Sequence, residues 1–171
     1  MPFLWSVLYV AVCGVLAHVI GEAIPRSIFH ADRFPYSPWK WERKGAIYEK
    51  IGIQRWKDRL PDMSRVCKKM VPKRFEAFPT VEGTQRLIAE TCVAEATHAV
   101  LCLVAPVIWL FWRNAVGVIL SCVVIVCNLP FILIQRYNRP RLIALRTRLT
   151  LREERKRNAS TDSVCQHGGR T

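Results

Sequence analysis

Cysteine is present but never at the spacings that carry chemistry. None of the seven forms a CxxC pair, and no Cys/His cluster has zinc-finger spacing, so a metal centre is not expected. Cys13, Cys102, Cys122 and Cys127 lie inside apolar runs and read as small buried hydrophobes rather than a disulfide framework. Acidic residues are scarce: 13 Asp and Glu stand against 26 Lys and Arg, a net charge of +13. No nucleic-acid recognition motif accompanies that charge, which removes nucleic acid as a partner. Nothing positively charged precedes the first apolar run as it would in a secretory signal, and no internal repeat is visible.

What is present is segregated. Half of the residues are apolar (51%), yet the charges keep to separate stretches. Residues 21–86 hold fifteen Lys or Arg and residues 135–171 hold ten, with Arg113 alone elsewhere. The apolar runs between them predict an all-α, small polytopic membrane protein. It forms one domain with about three transmembrane helices, at 3–20, 87–112 and 115–134.

The run at 99–112 is too short for a bilayer core, which needs roughly twenty residues. The second helix must therefore begin near Arg86 or Leu87, which places Glu90, Glu95 and His98 inside it. Pro106 is expected to bend it. Arg113 and Asn114 make the tight turn into the third span, and Trp109 and Trp112 suit an outer aromatic belt. With the N-terminus outside, both basic segments fall on the cytoplasmic side: a loop at 21–86 and a tail at 135–171. The aromatic and proline-rich stretch Phe34-Pro-Tyr-Ser-Pro-Trp-Lys-Trp, with Tyr48 and Trp56, suits a helix or turn in the headgroup layer. Residues 142–157 read as a basic cytoplasmic helix, and the chain beyond about 158 as disordered.

Ionisable groups within a span are costly and mark candidate sites. Thr91, Glu95, His98 and Cys102 share one helical face, with Glu90 on its flank. At about 1.5 Å per residue, His98 and Asn128 both fall roughly 10 Å from the inner boundary, near the height of His18 and Glu22. This layer reads as a site at the inner leaflet, open to lipid from the side and to cytoplasmic reagents from below. Two bland readings stand beside it. Glu95 and His98 serve equally well as glue between helices, and Arg136 to Arg141 as headgroup anchors.

At these positions three blocks resemble the glycosyl-diaponeurosporenoate acyltransferase family, the enzymes that add the fatty acyl group in staphyloxanthin-type carotenoid assembly. Arg55-Trp-Lys-Asp-Arg-Leu-Pro-Asp62 is similar to its W-K-x-x-x-x-D loop, and Glu90-Thr-Cys-Val-Ala-Glu-Ala-Thr-His98 to its E-T-x-x-A-E-x-x-H stretch. Asn128-Leu-Pro, followed by Gln135-Arg-Tyr-Asn-Arg-Pro-Arg-Leu142, resembles its N-x-P…Q-R-Y-N-R-P-R-L signature. The likeness covers roughly residues 45–155.

The resemblance implies an O-acyltransferase of the bacterial cytoplasmic membrane. It would move an acyl group from an acyl thioester, on coenzyme A or acyl carrier protein, to a sugar hydroxyl of a glycosylated carotenoid or glycolipid. No cofactor beyond that co-substrate is called for.

Applied to the matching positions, the chemistry makes His98 the general base. Glu95 orients it, with Glu90 as the alternative. Asn128, Tyr137 or Asn138 donates to the oxyanion. Arg136, Arg139 and Arg141 are expected to hold the donor's phosphates, with Lys57 and Arg55 completing the cradle beside Trp56 and Asp58. No nucleophilic Ser or Cys stands at a matched position, which favours direct attack without an acyl-enzyme. Three spans hide a polar site poorly, which leaves the oligomeric state open between a monomer and a homodimer. The competing reading is a non-catalytic membrane scaffold for lipid or pigment biosynthesis enzymes.

Overall fold

A computed structural model describes residues 2–59 and 80–168. The chain is helical, with no strand among the described residues. α1 (Pro2–Ala23) leads through a 3-10 turn at Arg26–Ile28 into a loop that carries a 3-10 turn (Lys40–Gly45), α2 (Ala46–Lys50), α3 (Ile53–Trp56) and a final turn at Lys57–Arg59. α4 (Val81–Val104) passes through a 3-10 turn at Ala105–Val107 into α5 (Ile108–Trp112), and α6 (Ala115–Gly168) closes the chain. Three helices are long and apolar enough to cross a membrane: Pro2–Ala23, Val81–Trp112 and Ala115–Ser160. Leu60-Pro61-Asp62 of the first matched block and Cys67 lie outside the described residues.

The second helix starts earlier than the Arg86 or Leu87 expected from the length a bilayer core needs. Thr80 caps it, its hydroxyl accepting from Gly83 N–H at 3.0 Å, so the helix gains more than a turn before Arg86. The 32 residues from Val81 to Trp112 run about 48 Å, against a core of about 30 Å. The helix is therefore longer than an apolar layer of that thickness requires.

At Pro106, which removes one backbone donor, the α-helix gives way to the 3-10 turn at Ala105–Val107. The carbonyls around the break find side chains. Tyr9 Oη donates to Val104 O at 3.0 Å, and Ser121 Oγ donates to Ala105 O at 3.0 Å. Backbone groups in apolar surroundings need such partners, and these bonds tie α1 and α6 to the 3-10 turn.

At the hairpin end, Arg113 has a left-handed backbone (φ 47) and Asn114 Oδ1 accepts from Val116 N–H at 3.0 Å, which caps α6. Gly117 lets the two helices touch: a Cβ there would lie 2.9 Å from Trp109 Cα.

α6 does not stop near Asn158, where the sequence reading placed the start of a disordered end; its backbone stays helical to Gly168. Between Pro140 and Gly168 there is no proline or glycine to end it. At the opposite end of the bundle from the hairpin, the loop folds back on α6. Tyr48 and Ile53 pack with Ile134 and Tyr137, flanked by Ile47, Trp56 and Leu133.

Candidate active site

Two polar assemblies lie between α4 and α6, one helical turn apart along α4. The deeper one centres on His98. Its Nδ1 is 2.8 Å from Asn128 Oδ1, and its ring stacks on Phe131 with centroids 4.5 Å apart and planes 10° from parallel. Asn128 and Phe131 are three residues apart on α6, so they share a face and form one seat for the imidazole. Asn128 Nδ2 in turn donates to Val124 O at 2.8 Å. Counting along the helices did place His98 and Asn128 at one height, and the structure brings them together.

The second assembly is a buried ion cluster. Arg136 Nε donates to Glu42 Oε1 at 2.5 Å and Arg136 Nη1 to Glu95 Oε1 at 2.6 Å. Arg139 Nη2 pairs with Glu95 Oε2, Nε donates to Thr91 Oγ1 at 3.0 Å and Nη1 to Tyr36 O at 2.6 Å. The carbonyls of Pro35 and Ser37 take further donors of Arg136, and the carbonyl of Thr91 takes one of Arg139. Two carboxylates balance two guanidinium groups, which lets the cluster sit buried. Trp39 and Tyr36 add cation–π contacts to Arg136 and Arg139 at 4.7 and 5.4 Å.

This geometry corrects several expected roles. Glu95 does not serve as the orienter of His98, because both of its oxygens are taken by guanidinium donors. Glu90 is not that orienter either: it is bidentate with Arg26, at 2.8 and 3.2 Å. Arg26 also donates to Gly21 O at 2.7 Å, capping the end of α1.

Arg136 and Arg139, expected as phosphate ligands, are 8% and 1% exposed and give most of their donors to the protein. They bind the loop to the bundle instead. Asn128 was expected to donate to an oxyanion, but its NH2 faces Val124 and its oxygen faces His98.

The remaining positions lie nearer the surface. Arg141 sits over the Tyr137 ring at 3.5 Å, pairs with Glu49 and is half-exposed; Lys57 Nζ lies 5.4 Å from the same ring. Tyr137 is thereby buried between cations, and Asn138 beside it is half-buried. Arg55 is exposed, Trp56 donates to Ile51 O at 3.3 Å, and the backbone of Asp58 belongs to the turn at Lys57–Arg59.

Sequence reasoning missed Glu42. It is the single acidic residue between Phe34 and Tyr48, and a lone carboxylate in a basic, aromatic stretch was the available signal. It also accepts from Trp39 N–H at 3.0 Å and from Tyr48 Oη at 2.7 Å. Burial first, then the hydrogen bond to Glu42, pushes the Tyr48 hydroxyl well above the usual phenol range.

A helical bundle with three helices long and apolar enough to cross a membrane is, once its relatives are set beside it, that of an acyltransferase. The chain belongs to the glycosyl-4,4'-diaponeurosporenoate acyltransferase family, whose model matches residues 25–148. It is 31% identical to the glycosyl-4,4'-diaponeurosporenoate acyltransferase of Staphylococcus haemolyticus (strain JCSC1435) over 91% of this chain and 90% of that protein. It is 29% identical to the protein of the same name from Staphylococcus aureus (strain MRSA252), over 80% and 82% of the two chains. No solved structure matches.

Proposed function

We propose that this chain moves a fatty acyl group from an acyl thioester to a sugar hydroxyl of a glycosylated carotenoid or similar membrane glycolipid, with His98 as general base. The observation that carries the reading is the His98–Asn128 pair at 2.8 Å, inside the region that matches the family model.

The step balances without a cofactor. His98 Nε2 takes the proton of the sugar hydroxyl as its oxygen attacks the thioester carbonyl. The tetrahedral intermediate collapses, the C–S bond breaks, and the leaving thiolate recovers the proton from the imidazolium. An ester and a free thiol result.

The donor's anionic end falls to the surface cations Arg141, Lys57 and Arg55. Arg141 lies thirteen residues along α6 from Asn128, roughly 20 Å. That separation suits a long donor whose acyl and phosphate ends are far apart. The acceptor's lipid portion stays in the bilayer beside the apolar walls of α4 and α6. The basic loop and the extension of α6 lie at the end opposite the Trp109–Trp112 hairpin, which supports a cytoplasmic site with the N-terminus outside.

The test is acyl transfer by the purified chain in lipid, using acyl-CoA and acylated carrier protein as donors. A glucosylated carotenoid and other glycolipids serve as acceptors. Ester formation on the carotenoid glucoside supports the reading; no ester with any pair, from protein shown to be folded, overturns it.

A further inference from the structure

We infer that Asn128 is a positioning residue that fixes the tautomer of His98, so that the proton-accepting atom is Nε2. This rests on His98 acting as the base. Asn128 touches two groups of known polarity. Val124 O can only accept, so the Asn128 atom 2.8 Å from it is the NH2 nitrogen. The atom turned to the imidazole, 2.8 Å from Nδ1, is therefore the carbonyl oxygen, which can only accept. Nδ1 must carry the hydrogen, because an unprotonated Nδ1 would set two lone pairs against each other at that distance.

A neutral imidazole protonated at Nδ1 holds its lone pair at Nε2. Phe131 covers one face of the ring, and Asn128 occupies the Nδ1 edge. With His98 as the base, the sugar hydroxyl gives its proton to Nε2.

The arrangement does the work of an orienting carboxylate with a neutral group. A carboxylate at this depth would need its own counterion. Glu95, one turn away, has two and is committed to them. An amide already anchored by Val124 O brings no charge into the layer, and fixing the wrong tautomer is among the costlier faults in a base of this kind.

Two substitutions separate positioning from oxyanion donation. Asn128→Asp keeps an acceptor opposite Nδ1 but has no N–H to offer an oxyanion. Asn128→Leu keeps neither. In lipid nanodiscs, 15N spectra of the histidine-labelled chain, with the His98 signals assigned through His98→Gln, should show the hydrogen on Nδ1 in the native chain and in Asn128→Asp. Asn128→Leu should distribute it over both nitrogens.

In acyl transfer, Asn128→Leu should lower kcat by about 100-fold or more with KM changed less than about twofold, and Asn128→Asp should keep at least about a tenth of the rate. A native ring protonated on Nε2 overturns the inference. So does an Asn128→Asp chain that retains the Nδ1 tautomer yet falls as far as Asn128→Leu, since the amide N–H would then be the working group. The spectra need no turnover, so failure of His98 as base, seen as an active His98→Gln chain, is distinguishable from failure of Asn128 to hold the ring.

Discussion

Glu42 and Arg136 are 94 residues apart in sequence and meet at 2.5 Å. Through this contact the loop before α2 is fastened to α6, and Arg136 continues it to Glu95 on α4 at 2.6 Å. The matched R-Y-N-R-P-R run is thus largely a fastening for the loop that closes the bundle, with Arg141 alone of its arginines left at the surface.

Removing one member of a buried, balanced ion cluster leaves an uncompensated charge, at a cost of about 3–5 kcal/mol. Glu42→Ala is expected to lower the thermal midpoint in detergent or prevent accumulation of folded protein. Glu49→Ala, at an exposed pair with Arg141, should cost less than about 1 kcal/mol. Thermal unfolding of the two variants side by side measures the contrast.

Tyr48 ties stability to alkaline pH. Its hydroxyl is raised above 10.0 by burial and by Glu42, so the folded chain keeps a proton that the unfolded chain releases above about pH 10. Both states bind that proton below pH 10, and stability is expected to fall as pH rises beyond it. Tyr48→Phe should flatten the alkaline decline by up to one proton while losing about 1 kcal/mol at neutral pH. Unfolding midpoints from pH 8 to 11 test this.

The α5–α6 hairpin depends on close approach at Gly117. A Cβ there would meet Trp109 Cα at 2.9 Å, and a backbone atom cannot swing aside. Gly117→Ala is expected to destabilise the fold by about 1–3 kcal/mol. Gly14→Ala, where a Cβ meets nothing within 4 Å, should be close to silent in the same unfolding measurement.

The donor binding proposed for the surface cations predicts a kinetic signature. Arg141→Ala is expected to raise KM for the acyl thioester about tenfold with kcat little changed, because it removes contact to a remote part of the donor. A drop in kcat at constant KM would instead place Arg141 at the reacting atoms. Initial rates against thioester concentration decide it.

The sequence made the spans legible because each depends on a local property, an apolar run of sufficient length. Pro106 and the Arg113–Asn114 turn were legible for the same reason. The height of His98 and Asn128 followed from rise per residue alone.

Their pairing partners did not follow, since these depend on how each helix is rotated and on where the loop folds. Glu95 sits three residues from His98 and looked like its orienter. The rotation of α6 instead presents Arg136 and Arg139 to that carboxylate and Asn128 to the imidazole. Glu42 was hidden because its partners are remote in sequence. The helical extension beyond Asn158 was missed because polarity was read as disorder where no residue breaks the helix.

The measurement to make first is the rate of acyl transfer to a glucosylated carotenoid by the native chain and by His98→Gln, both in nanodiscs and both shown to be folded. A base that takes the hydroxyl proton is worth roughly 10²–10⁴-fold, so the variant should fall by at least about 100-fold with KM for both substrates nearly unchanged. A variant that transfers at the native rate would mean that His98 is only part of the bundle's packing and that the proton leaves by another route.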